Sequence, residues 1–178
     1  MNRIVVERQY SPPLSVAQLQ SIVRDGASCL ARHRVDYLGS LIGENGKRVT
    51  CVYAAPDAEA VSIANSQMGA EYERAWTARL YGSEAADPLS GETPSCIVVE
   101  RTFPAPIAFE ELEDKEGAHS WCLEAYRVTF MQSYFAIDRR RMMCLYLAPD
   151  AESVRRVQLT AGLPFERVWA AQVFRPNV

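Results

Sequence analysis

IVVERQY at Ile4–Tyr10 returns as IVVERTF at Ile97–Phe103, 93 residues further along the chain. The same offset carries YAAPDAEAV at Tyr53–Val61 onto YLAPDAESV at Tyr146–Val154, and YERAW at Tyr72–Trp76 onto FERVW at Phe165–Trp169. One gap-free offset through three separate motifs means two copies of a single folding unit. Each copy has roughly 80 residues and would be marginal alone, so the two are expected to bury a face against each other. The expected division is a first repeat over 1–81, a linker over 82–95 and a second repeat over 96–178.

Each copy reads in the same order. Ile4-Val5-Val6 is a β-branched run closed by Ser11-Pro12-Pro13, which predicts a strand. Val16, Leu19, Ile22, Val23 and Leu30 recur near helical spacing from Ser15 to about Arg34, with Ser15 as N-cap. Val35–Ile42 and Val49–Ala54 form two more strands around the hairpin signal Asn45-Gly46. Asp57 opens a second helix, Gly69 closes it, and Glu73–Tyr81 is a fourth strand. The second copy follows with Ile97–Phe103, Phe109–Arg127, Val128–Phe135, Met142–Leu147, Ala151–Ala161 and Glu166–Phe174; Lys115 and Glu116 interrupt the apolar pattern of its first helix.

The order β-α-β-β-α-β is the ferredoxin-like unit. Its strands carry large apolar residues at both parities, such as Tyr37 and Leu41 against Leu38 and Ile42, so both sheet faces call for burial. The fold class expected is therefore α+β, with two ferredoxin-like βαββαβ repeats forming a fused, pseudo-dimeric α/β barrel. Residues 82–95 offer little to bury and several chain breakers, which reads as linker.

Composition bounds the function. With 48% apolar and 23% charged residues and a net charge of −3, the chain lacks the basic footprint of a nucleic-acid surface. RVTCVYAA and RMMCLYLA offer one aromatic each where an RNA-recognition sheet needs several for stacking. No apolar run approaches a membrane span or a secretory leader. Five cysteines without C-x-x-C spacing fit reduced thiols and a cytoplasmic location.

Strand alternation nominates a site. Glu7, Cys51 and Tyr53, with Glu100, Cys144 and Tyr146 as counterparts and Gln132 from the second strand, are expected to line a shared interior pocket if Ile4, Val6, Val52 and Ala54 face the helices. A buried carboxyl there, Glu7 or Glu100, would be placed for acid–base work or for holding a divalent metal. The structural alternative is that the glutamates are satisfied by neighbouring polar groups and the cysteines are inert core.

V-x-E-R in the first strand, YLGS and FMQS at the second, and C-[VL]-Y-x-A-P-D at Cys51–Asp57 and Cys144–Asp150 occur together with AGLPFERV at Ala161–Val168. As a set they resemble a ferredoxin-like family largely catalogued as a domain of unknown function, with one nickel-binding, nickel-responsive bacterial branch. The resemblance implies a dimeric α/β barrel of single-repeat chains, here fused into one polypeptide. It also implies nickel or another divalent metal as cofactor. Many members place a His before the second-strand Ser, where this chain has Gly39 and Gln132.

The functional expectation is a cytoplasmic protein binding a small molecule or metal ion, existing as an intrachain pseudo-dimer and open to homo-oligomerisation. The alternatives are a cofactor-independent isomerase or monooxygenase using the barrel interior, and an interaction or regulatory module.

Overall fold

The computed structural model describes residues 1–82 and 86–176. Thirteen elements follow in chain order: β1 (Asn2–Gln9), α1 (Val16–Arg32), β2 (Asp36–Gly43), β3 (Arg48–Ala55), α2 (Ala58–Gln67), β4 (Arg74–Gly82), β5 (Ser95–Thr102), α3 (Phe109–Ala118), α4 (Ser120–Ala125), β6 (Thr129–Ala136), β7 (Arg141–Leu147), α5 (Ala151–Thr160) and β8 (Arg167–Phe174). The hydrogen-bonded strand order is β1-β3-β2-β8-β5-β7-β6-β4, closed as a barrel. Two ferredoxin-like repeats thus form the α/β barrel that the repeat pattern implies. By its contacts the chain divides into a first unit, Met1–Arg79 with Gln172–Val178, and a second, Leu80–Ala171.

Local chemistry sets the helix ends. Ser15 caps α1 through a capping box with Gln18, as the sequence predicts. Asp57 and Asp150 cap α2 and α5 by accepting from Ala60 N and Ser153 N at 2.8 and 2.7 Å. Gly69 and Gly162 leave these helices at φ 62° and 63°. The chain then turns back, with Ala70 N bonded to Asn65 O and Leu163 N to Gln158 O at 2.9 Å each. That exit aims the loop after each helix at the arginine of the first strand.

The first helix of the second repeat differs from expectation, because it breaks into α3 and α4 at His119. There the imidazole Nδ1 lies 2.9 Å from Lys115 O, the carbonyl that the 119 amide would use in a continuous helix. Gly117 beside it contributes little helix propensity.

Both second strands carry a bulge, at Tyr37/Gly39 and Phe130/Gln132. The extra residue brings Tyr37 and Ser40, or Phe130 and Ser133, to the same face of their sheet. Each unit has its own helix-covered core, with Ile4, Val6, Cys51 and Tyr53 packed among Leu19, Leu30 and Val61 in the first. Val99, Cys144 and Tyr146 pack among Leu112, Val154 and Val157 in the second.

Of the expected linker, residues 83–85 lie outside the described residues, as do 177 and 178 of the second repeat. The remainder of the linker is not purely solvated. Asp87 and Leu89 are buried, and Asp87 accepts hydrogen bonds from Tyr134 Oη at 3.0 Å and Leu89 N at 2.9 Å.

Candidate functional site

The strand register corrects the face assignment made from sequence. β1 and β3 pair Ile4 with Tyr53 and Val6 with Cys51, so these four share the helix-covered face. Glu7 pairs with Thr50 on the opposite face. In the second unit Ile97 pairs with Tyr146 and Val99 with Cys144, while Glu100 pairs with Met143. Cys51 and Tyr53 therefore do not share a face with Glu7, nor Cys144 and Tyr146 with Glu100. Alternation within one strand fixes which residues are companions, but only register fixes which strands' companions align.

The glutamates have fixed partners on their own face. Trp76 Nε1 donates to Glu7 Oε1 and Trp169 Nε1 to Glu100 Oε1, both at 2.8 Å. The second oxygens face Arg74 at 3.7 Å and Arg167 at 3.1 Å. Gln132 is also on this opposite face, paired with Leu145; it is fully buried and neither amide atom has a partner among the described residues.

The helix-covered face holds a different constellation, repeated in both units. Ser40 Oγ donates to Cys51 Sγ at 3.0 Å, and Ser133 Oγ to Cys144 Sγ at 3.1 Å. Beside each thiol lies a buried arginine from the V-x-E-R motif, Arg8 or Arg101, which the sequence reading passed over. Arg8 donates to the carbonyls of Ala70 and Glu71, to Asn65 Oδ1 and, at 3.3 Å, to Tyr53 Oη. Arg101 donates to Pro164 O and to Gln158 Oε1. The signal was available, since Arg8/Arg101 and the amides Asn65/Gln158 recur at the same offset.

Here the units part company. In the first, Val23, Met68 and Tyr37 crowd the space between helix and sheet, leaving a cavity of about 30 Å³. In the second, Glu116, Ala161 and Phe130 stand at those positions, and the cavity grows to about 200 Å³, partly open to solvent. Its wall is apolar on Phe109, Leu112, Leu123, Phe130, Met142 and Leu163, and polar at Arg101, Glu113, Glu116, Ser120, Ser133, Cys144 and Tyr146. Tyr81 stacks on Phe109 with ring centroids 3.8 Å apart, which steadies that wall.

Tyr146 Oη donates to Glu116 Oε1 at 3.0 Å. Burial pushes the Glu116 carboxyl above its usual value, against the opposing pull of Tyr146 and Arg101. Burial likewise raises the Tyr146 phenol well above its ordinary value, so it remains a proton donor. The arrangement can therefore enclose a small apolar body while presenting it with a carboxyl and a guanidinium.

A metal fits less well. Among the described residues no group of three or more His, Cys, Asp or Glu is placed to hold an ion. Of the two histidines, His33 bonds Gln67 Oε1 at 3.0 Å and His119 the Lys115 carbonyl.

Two ferredoxin-like units with this motif set define a class, the small α/β-barrel proteins. Within it, the chain belongs to the family described as nickel responsive protein SCO4226-like, which matches residues 5–77 and 98–170, one match per repeat. Among solved structures, SCO4226 from Streptomyces coelicolor A3(2) is 22% identical, covering 41% of this chain and 90% of its own with a TM-score of 0.37. The putative chlorite dismutase TA0507 is 11% identical over 98% of this chain and 94% of its own, TM-score 0.56. A mutant chlorite dismutase from Candidatus Nitrospira defluvii is 10% identical over 98% and 91%, TM-score 0.54. The last two share the fold. None of the curated proteins compared with the chain matches it. No helix among the described residues is long and apolar enough to cross a membrane.

Proposed function

We propose that this protein binds a small organic molecule in the helix-covered cavity of its second unit. The observation that carries the reading is the contrast between about 200 Å³ in that unit and about 30 Å³ at the equivalent place in the first. A dry apolar cavity of about 150 Å³ suffices for a benzene-sized guest, so the larger space takes a one-ring compound. The five cysteines are free and buried, which supports residence in the reducing cytoplasm.

Nickel, the metal in the family's description, finds no ligand set among the described residues, and Glu7 and Glu100 have both oxygens engaged. Nickel binding is therefore not assigned to these two carboxylates. A second reading, cofactor-independent catalysis in the same cavity, is favoured by Glu116, a carboxyl of raised pKa held by Tyr146.

The test is to refill the cavity. Glu116→Val with Ala161→Met restores two of the first repeat's residues, the methionine adding bulk beside the cavity. Titration with toluene, followed by NMR shifts of the Leu112 and Leu163 methyls, should show binding to the wild type and at least tenfold weaker binding to the double variant. Equal affinity for both proteins would remove the cavity from consideration.

A further inference from the structure

The second cavity differs from the first in the charge of its rim as well as in volume. Three residues of its wall, Glu113, Glu116 and Gly117, lie within little more than one turn of α3. The repeat offset places them opposite Gln20, Val23 and Arg24. Each exchange moves the rim one unit of charge toward negative, two by gaining a carboxylate and one by losing a guanidinium. Lys115, the cation of the same turn, is exposed and is not part of the wall. Gly117 leaves the rim open, since a Cβ built on it would meet nothing within 4 Å.

The two carboxylates lack a counter-ion. Glu116 accepts from the neutral Tyr146 hydroxyl at 3.0 Å, and among the described residues no lysine or arginine reaches ion-pair distance of Glu113 or Glu116. Burial raises the Glu116 carboxyl, Tyr146 and Arg101 lower it, and Glu113 raises it again, as a like charge one turn away must. Arg101 acts from the strand side. Its terminal nitrogens are engaged by Pro164 O and Gln158 Oε1, and the Cys144 sulfur lies beside the rest of the guanidinium. It therefore offers a guest no free donor and an anion no pairing site.

A cation at the rim relieves the repulsion between the carboxylates and supplies their missing partner. An anionic head group would add a third negative charge there. A hydroxyl would make a hydrogen bond to one charged group, about half as strong as an ammonium–carboxylate pair in which both partners are charged. Behind the rim, Phe109, Leu112 and Phe130 form a wall suited to a ring.

We infer that the second unit's cavity takes a protonated one-ring amine, its ammonium held at the rim between Glu113 and Glu116 and its ring against Phe109, Leu112 and Phe130. The assignment rests on the small-ligand reading above and names the ligand class. These carboxylates are more than surface acids, because they border a space of about 200 Å³ that shrinks to about 30 Å³ in the unit without them.

Calorimetric titration of the full chain at neutral pH compares four probes of similar size: benzylamine, benzyl alcohol, toluene and benzoate. Benzylamine should bind at least about tenfold more tightly than each of the others, the effect of one charge-assisted hydrogen bond. Glu113→Gln with Glu116→Gln should bring benzylamine to within about twofold of benzyl alcohol while toluene affinity holds. Gly117→Arg returns the first repeat's cation to a rim with room for it, and should lower the benzylamine-to-toluene affinity ratio by about threefold or more. Any other probe binding as tightly as benzylamine, or a benzylamine-to-toluene ratio unchanged in both variants, overturns the amine assignment and leaves the cavity reading standing. Failure of all four probes to bind the wild type overturns both.

Discussion

Arg8 and Arg101 hold the same place in two copies of one fold, yet the tyrosine beside each has a different partner. Tyr53 Oη accepts from Arg8, whereas Tyr146 Oη donates to Glu116. Around this difference, the Ser–Cys pair, the buried arginine and the helix-end amide are kept in both units. Among the side chains that change are Val23 to Glu116, Met68 to Ala161 and Tyr37 to Phe130, and a filled core becomes a lined cavity. Identical chains cannot make such a change in one copy alone. A fused pair can, with the unaltered copy retaining its dense core.

The arginines test how far the first unit is the structural one. Among the described residues Arg8 makes four side-chain hydrogen bonds and Arg101 two. Replacing either by Met strands buried carbonyl and amide acceptors, at a cost of about 3 kcal/mol, since breaking a buried charged network is far costlier than losing an exposed pair. Guanidinium denaturation should show the larger loss for Arg8→Met. A larger loss for Arg101→Met would mean that the second unit is the better packed, and the comparison would fail.

Exchanging the helix residue sharpens the contrast. Val23→Glu puts a carboxyl where about 30 Å³ is free and should cost about 2 kcal/mol at neutral pH, the penalty for an ill-paired buried polar group. Glu116→Val should cost less than that, since it removes such a group. Glu116 also gives a pH signature. Its folded-state pKa lies above the ordinary 4.5, so in the window just above 4.5 the folded chain keeps a proton that the unfolded chain has released. Stability from this group therefore falls as pH rises through the window and is flat beyond the folded pKa. Tyr146 and Arg101 oppose the rise and Glu113 adds to it, but burial dominates. The stability of wild type relative to Glu116→Val should increase as pH is lowered toward 4.5, and a difference independent of pH would place Glu116 in solvent.

The repeat made the fold legible, because helix caps at Ser15, Asp57 and Asp150 and exits at Gly69 and Gly162 are local signals. The site was only half legible. That Cys51 and Tyr53 go together followed from alternation, but aligning them with Ile4 and Val6 needed the register, a non-local quantity. Glu116 was visible as a break in an apolar stripe. Its meaning lay in Phe130, Met142 and Leu163, which come from other elements and enclose the space beside the carboxyl. Volume is shared between elements and is not written in any one.

The smallest effect belongs to the hairpins, where Gly46 of the first copy is matched by Arg139 in the second. Within the hairpin signal Asn45-Gly46, only Gly46 adopts positive φ, at 65°. A Cβ there would lie 2.6 Å from Leu14 O, so glycine is required twice over, by conformation and by space. Arg139 occupies the matching position at φ 60°, and its carbonyl meets Ile107 N at 3.1 Å where Gly46 O meets Leu14 N at 2.8 Å. The second hairpin thus tolerates a side chain but still bears the left-handed penalty of about 1 kcal/mol. Arg139→Gly relieves it and loosens the unfolded chain, leaving a net gain of about 0.5 kcal/mol. Gly46→Ala should lose more than that, because the alanine meets both the strain and the Leu14 carbonyl. Thermal denaturation of the two variants, moving in opposite directions, would show that the second copy relaxed its turn as well as its core; a loss of stability in Arg139→Gly would show that the arginine side chain contributes more than its backbone costs.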